Sequence, residues 1–113
     1  MSKNVIDDHV CAFNARDLTA FVACFSEEIK IFKLPGEELI ADGLDSIRSI
    51  YAKKFNDSPN LNCAILNIMT QGRYTALHEK ITGQQESPVI YNIALYEVET
   101  ELIRRVWLMN EIS

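Results

Sequence analysis

The 113-residue sequence has little of what would mark a specialised class of protein. Its three cysteines, Cys11, Cys24 and Cys63, are an odd number at spacings that match no zinc or dithiol motif, so neither a disulfide framework nor a metal site is supported. Each lies in an apolar segment and is expected to be a buried free thiol. Glycine and proline are sparse and form no phosphate-cradling loop, and no nucleophile elbow or Cys-His pairing is present, which leaves nucleotide-dependent and covalent Ser or Cys chemistry without support. No apolar run approaches the length of a membrane span, and the first eight residues contain no apolar core of the kind a secretory signal requires. A cytoplasmic location is expected. Positive charge is also short: 11 Lys and Arg stand against 16 Asp and Glu, and the basic residues are spread out, which argues against a nucleic-acid surface.

What remains is ordinary for a globular chain, with 48% hydrophobic and 24% charged residues. Residues 1–113 are expected to form one domain that buries roughly two-thirds of the surface its unfolded chain would expose. Asn4 or Ser2 can cap a first helix through Ile6, Val10 and Phe13, with His9 on the same side. Asp17 caps a second, in which Leu18, Phe21, Val22 and Phe25 follow helical spacing. Residues 29–33 read as a short strand, and Leu34-Pro-Gly-Glu37 as a type II turn into a hairpin partner over 38–41. Asp42-Gly43 opens a third helix with an apolar stripe of Leu44, Ile47, Ile50, Tyr51 and Phe55, and Lys53 and Lys54 near its end suit the helix dipole.

After residue 60 the apolar period changes from helical to alternating. Residues 61–69, 74–82, 89–98 and 102–109 read as four strands, joined at Gln71-Gly72, across Gly83 to Pro88 and at Glu99-Thr-Glu101. Such short joins make antiparallel neighbours, so the chain predicts three helices followed by a curved meander, an α+β domain. The strand over 89–98 is apolar on both faces, and three helices can cover only one. A second copy of the chain is the expected cover for the other, giving a homodimer through the outer sheet face.

The most informative strand is Tyr74 to Thr82. Side chains alternate along it, so Leu77, Glu79 and Ile81 share one face while Ala76, His78 and Lys80 share the other. A carboxylate between two large apolar residues is expensive unless a partner or a task explains it. Glu79 is therefore an acid-base group of a pocket, half of a structural ion pair with Arg105 or another cation such as Lys33, or an outward-facing residue.

Phe13-Asn-Ala-Arg-Asp-Leu18, Phe25-Ser-Glu-Glu28, Ile47-Arg-Ser-Ile-Tyr51, His78-Glu-Lys-Ile-Thr-Gly83, Tyr96-Glu-Val98 and Leu102-Ile-Arg-Arg-Val-Trp107 occur in this order along nearly the whole chain. Together they resemble the SnoaL-like, ketosteroid isomerase-like branch of the nuclear transport factor 2-like superfamily. The resemblance implies a cone-shaped, cystatin-like fold: helices packed on a strongly bent antiparallel sheet, with a central pocket and commonly a dimer through the sheet. Its members include isomerases, polyketide cyclases, dehydratases and non-catalytic binding domains, and fold alone does not choose among them.

Against the isomerase pattern, the aspartate base falls on Lys33, the oxyanion tyrosine on His9 and the protonated aspartate on Ala94, while Tyr51 matches a supporting tyrosine. Isomerase chemistry by that route is therefore not expected. The resemblance also assigns Leu77, Glu79 and Ile81, then Asn92, Ala94 and Tyr96, then Arg105, Trp107 and Met109 to the pocket face. The expected catalytic set is Glu79, His9 and Tyr51. The expected substrate contacts are Lys33, Phe25, Phe55, Leu77, Asn92, Tyr96, Arg105, Trp107 and Met109. Cofactor and metal are both expected to be absent. The implied substrate is a small, apolar, carbonyl-bearing molecule handled by proton transfer; the alternative is a binding or interaction module in which Glu79 and Arg105 form a structural pair.

Overall fold

The computed structural model describes residues 4–85 and 89–112, so Ser2 and the last part of the loop expected over Gly83 to Pro88 lie outside the described residues. Helix α1, Val5–Ala15, starts where the Asn4 side chain accepts the Asp7 backbone N–H at 3.2 Å. It stops at Arg16, whose left-handed backbone (φ 54°) turns its N–H back onto the Ala12 and Phe13 carbonyls. Helix α2, Leu18–Val22, is capped by Asp17 through the Ala20 N–H. It is shorter than its apolar spacing predicts. Phe25 opens strand β1 instead, because it pairs in register with Ile103 of the last strand.

Strand β1, Phe25–Lys33, is followed by β2, Glu38–Asp42, and by helix α3, Leu44–Asp57. The turn between β1 and β2 is not type II: the Leu34–Pro35 peptide is cis, and the positive φ of 51° falls on Glu37 rather than Gly36. The long strands are β3, Asn62–Gln71; β4, Tyr74–Thr82; β5, Val89–Glu99; and β6, Leu102–Ile112. Among the described residues these three helices and six strands make the expected α+β domain, with a bent, open sheet in the order β2-β1-β6-β5-β4-β3. The pairings are antiparallel except for β1 with β6, which run parallel and place the N-terminal hairpin beside the end of the meander.

The helices cover one face of this sheet. Ile29, Ile47, Leu61, Leu77 and Ile103 are fully buried between the layers, and truncating one of these to alanine removes about 2–5 kcal/mol. Asn14 fastens α1 to β3 like an added rung of sheet: its amide donates to the Cys63 carbonyl at 3.1 Å, and its carbonyl oxygen accepts the Cys63 N–H at 2.6 Å. Gly83 ends β4 at φ 80°, where a Cβ would lie 2.0 Å from the Asn60 carbonyl oxygen, so that crossing requires glycine.

The inward parity of β4 and β5 follows the alternation, but that of β6 changes along the strand. Ile103 and Val106 are both buried although they lie three residues apart, because the β5–β6 register shifts between Glu97 and Val98. Past that irregularity Val106 and Leu108 stand opposite the inward Tyr96 and Ala94, whereas Arg105, Trp107 and Met109 stand opposite Glu97, Leu95 and Ile93. The expected placement of Arg105, Trp107 and Met109 on the pocket face is thus overturned. They are on the outer face, where Trp107 stacks on Phe32 with ring centroids 6.1 Å apart. His78 lies on the same side, its ring 6.5 Å from that of Tyr91. Cys24 and Cys63 are buried, but Cys11 is exposed, contrary to expectation, since it falls on the solvent side of α1.

Candidate functional site

Between α1, α3 and the inner face of the sheet lies a cavity of about 130 Å³. His9 reaches it from α1, Tyr51 and Lys54 from α3, Glu79 from β4, and Asn92 and Tyr96 from β5. Phe21, Phe25, Ile31 and Val106 supply much of its apolar wall. An apolar protein cavity of about 150 Å³ accepts benzene, so the space suits a single small ring.

Glu79 is 4% exposed, and its carboxylate accepts the Tyr96 hydroxyl at 3.0 Å and the Asn92 amide N–H at 3.3 Å. No Lys, Arg or His forms an ion pair with it among the described residues. Burial raises its pKa, and the hydrogen bonds from Asn92 and Tyr96 offset only part of that rise. The field of Glu79 is felt around it. Burial, then Glu79, pushes the Tyr51 phenol up to about 12 and the Cys63 thiol up to about 12. The Tyr96 phenol is held well above its ordinary value by burial and by Glu79. Cys63 is therefore a thiol at neutral pH and not a nucleophile.

His9 is fixed by its own helix. Its Nδ1 lies 2.6 Å from the Ile6 carbonyl oxygen, which can only accept, so Nδ1 carries the proton and Nε2 is an acceptor. Burial lowers its pKa to about 4, outweighing the opposing effects of the Ile6 carbonyl and Asp7, so the ring is neutral at neutral pH. It packs edge-on against Tyr96, with centroids 4.8 Å apart. The buried oxygens Asn92 Oδ1 and Gln84 Oε1, both on residues lining the cavity, have no hydrogen-bond partner among the described residues. The site thus joins one buried carboxyl to several neutral acceptors, with donors on the α3 side. Among the described residues no three His, Cys, Asp or Glu side chains assemble a metal-ligand set.

Residues 6–106 match the family model for the SnoaL-like domain. The chain belongs to the SnoaL-like family. No match is found among curated proteins. Among solved structures, this SnoaL-like chain is similar to a cystatin-fold protein from Novosphingobium aromaticivorans, with 21% identity and a TM-score of 0.82 over 92% of this chain and 93% of that one. It is similar to a candidate ketosteroid isomerase from Kribbella flavida (15% identity, TM-score 0.81, 96% and 76% covered). A candidate SnoaL-like polyketide cyclase from Shewanella denitrificans is similar at 9% identity (TM-score 0.78, 95% and 88% covered). At these identities the likeness establishes the cystatin-like fold.

Within this SnoaL-like cone the cavity gathers Glu79, His9, Tyr51, Phe25, Asn92 and Tyr96 from the expected set. Phe55 and Leu77 are buried behind its wall and do not line it; Phe55 packs on Phe13, Phe21 and Tyr51. Lys33, at the isomerase base position, is exposed at the end of β1 and does not reach the cavity. The expected Glu79–Arg105 pair is absent, because Arg105 is on the opposite face of the sheet. Sequence reading missed Lys54, Cys63, Gln84, Val106, Leu108 and Asn110. A signal existed for Lys54, three residues after Tyr51 and so on the same helix face; for the β6 residues none did.

Proposed function

We propose that this SnoaL-like protein is a small-molecule pocket enzyme that moves a proton on a ring-sized, largely apolar, carbonyl-bearing substrate without a cofactor, in isomerisation, cyclisation or dehydration. One observation carries this reading: a buried carboxyl, Glu79, faces a cavity and, among the described residues, is held only by neutral donors. A buried carboxyl without an ion pair is costly, and a cavity against it gives that cost a use. Desolvation also brings its pKa toward the range in which general bases and acids work at neutral pH.

Glu79 would take a proton from the substrate and return it at another atom. The Tyr51 hydroxyl and the Lys54 amine, both on α3, are donors for a carbonyl oxygen. His9 presents an acceptor to the cavity, so its role is to hold a substrate hydroxyl or relay a proton, and not to donate to an oxyanion. Phe25, Asn92 and Tyr96 supply the contacts that orient the ring. With Lys33, His9 and Ala94 at the three isomerase positions, the reaction does not follow that enzyme's route.

Hydrogen–deuterium exchange tests the assignment. Small cyclic ketones incubated in D2O and followed by proton NMR should exchange at carbon next to the carbonyl faster with the protein than without it. Glu79→Gln should lower that rate by about a hundredfold or more while the fold persists. Equal rates for the two proteins would leave a non-catalytic binding domain as the better description.

The outer sheet face supports a homodimer. Tyr91, Ile93 and Met109 are 39%, 49% and 43% exposed and adjoin the Phe32–Trp107 stack, an apolar patch of the kind that monomers rarely display.

A further inference from the structure

Lys53 and Lys54 are adjacent on α3 and differ in surroundings. Lys53 is exposed and bonds the Asp57 carboxylate at 2.6 Å, one helical turn on. Lys54 is half-buried, lines the cavity, forms no ion pair among the described residues, and sets its amine 5.6 Å from the centre of the Tyr51 ring. Lys54 and Gln84 both line the cavity and the neighbouring surface groove, so they form the threshold between the two. On that threshold Gln84 keeps a buried carbonyl oxygen without a donor among the described residues.

We infer that Lys54 is the nucleophile of the site: its amine condenses with the carbonyl of a small ketone or aldehyde to form an imine, from which Glu79 moves the proton. This deepens the proton-transfer reading above and rests on it. In the first step neutral Lys54 Nζ adds to the carbonyl carbon, and the carbinolamine loses its oxygen as water, so that one C=O becomes one C=N with no change of oxidation state. Protonation of the imine nitrogen makes the adjacent C–H acidic; Glu79 removes that proton to give an enamine and returns it to carbon, and water then releases the carbonyl compound. Tyr51 and Phe13 wall the route from Lys54 to the interior with aromatic surface. Gln84 Oε1 is an acceptor for the iminium N–H, and the groove lets the water leave. Desolvation lowers the Lys54 pKa, which enlarges the neutral, nucleophilic fraction. Besides Glu79, the titratable side chains lining the cavity are the neutral His9, Tyr51, Tyr96 and Cys63.

Reductive trapping tests the inference. The folded protein is incubated with cyclohexanone and cyanoborohydride, and the adduct is located by intact mass and peptide mapping. A single adduct at Lys54 is expected, lost in Lys54→Met and kept in Lys53→Met. Lys54→Arg retains the charge but cannot form an imine, and should lower ketone exchange in D2O by about a hundredfold, as Lys54→Met does. Glu79→Gln should lose exchange yet still trap the adduct, which separates the two assignments. Exchange that persists in Lys54→Arg, or adducts spread over the lysines according to exposure, overturns the imine and leaves Glu79 as the base. Absence of both exchange and trapping in the wild type overturns the two together.

Discussion

Two glutamates on neighbouring strands show what distinguishes the faces of this sheet. Glu79 on β4 points inward and Glu97 on β5 points outward, and they are 4% and 6% exposed. Each accepts a tyrosine hydroxyl, from Tyr96 at 3.0 Å and from Tyr74 at 3.3 Å. Burial and a phenolic donor therefore do not by themselves mark a site. Glu97 does not line the inner cavity, and although Arg105 stands opposite it in register, Glu97 forms no ion pair among the described residues. Glu79 likewise forms no ion pair among the described residues, and it faces the cavity. The cavity, and not the absence of an ion pair, which the two share, sets the inner carboxyl apart for chemistry.

The sharpest way to break this comparison is to put a new carboxylate on each face of β6. Val106 is 2% exposed and inward, while Met109 is 43% exposed and outward. Val106→Asp should cost about 4 kcal/mol or unfold the protein, and Met109→Asp should cost the monomer less than about 1 kcal/mol. Urea unfolding measures both. Similar costs would restore the original parity and remove the assignment of the faces.

A somewhat smaller effect comes from pH. His9 has its folded pKa lowered to about 4 from 6.5, so between these values the unfolded chain holds the proton and the folded one does not. Stability then rises with pH across that window, and acidification from 6.5 to 4 removes on the order of 3 kcal/mol. Glu79 has the opposite sign. Its raised folded pKa means that the folded state keeps a proton the unfolded state has lost, so the cost of burying it grows as pH climbs above the ordinary 4.5. Urea unfolding across this range should find the acid-side loss flattened in His9→Gln, and Glu79→Gln gaining stability relative to wild type as pH rises. A wild-type acid slope kept in His9→Gln would place the titration elsewhere.

These effects fall on features that were unequally legible in the sequence. The caps at Asn4 and Asp17, the switch from helical to alternating period after residue 60, and the inward set Leu77, Glu79 and Ile81 could be read because each is written in local spacing. The resemblance added the cone and the choice of inner face. What failed was β6, because one register shift inverts every later side chain and leaves no trace in composition. Phe25 failed for a related reason: its spacing suits a helix, but its pairing with Ile103 belongs to the sheet. Lys54 was readable as a dipole partner and also as a neighbour of Tyr51, and spacing alone could not say that the second mattered more.

The outer face yields a weaker but separable prediction. If Tyr91, Ile93 and Met109 form a dimer interface, Ile93→Lys should weaken it by about 2 kcal/mol or more, a thirtyfold or greater rise in the dissociation constant, and leave monomer stability nearly unchanged. Light scattering across a concentration series reads this directly. A wild-type protein that is monomeric at tens of micromolar removes the dimer, while the inner cavity is unaffected by the result.

The smallest expected effect decides most cleanly which groups belong to the inner carboxyl. Strict alternation along β6 would make Arg105 the natural partner for Glu79; in the structure the sheet itself separates them. Tyr96 and Asn92 hold Glu79 instead, at 3.0 and 3.3 Å. In double-mutant cycles on unfolding free energy, Arg105→Ala with Glu79→Gln should therefore show no coupling beyond about 0.5 kcal/mol, because groups that share no partner add independently. Tyr96→Phe with Glu79→Gln should couple by about 1 kcal/mol or more, since each substitution alone breaks the same buried hydrogen bond. Arg105→Ala alone should cost no more than about 1 kcal/mol, as a half-buried cation on the outer face. A strong Arg105–Glu79 coupling would turn the carboxyl back into half of a structural pair, and with that the chemical argument for the cavity would lose its base.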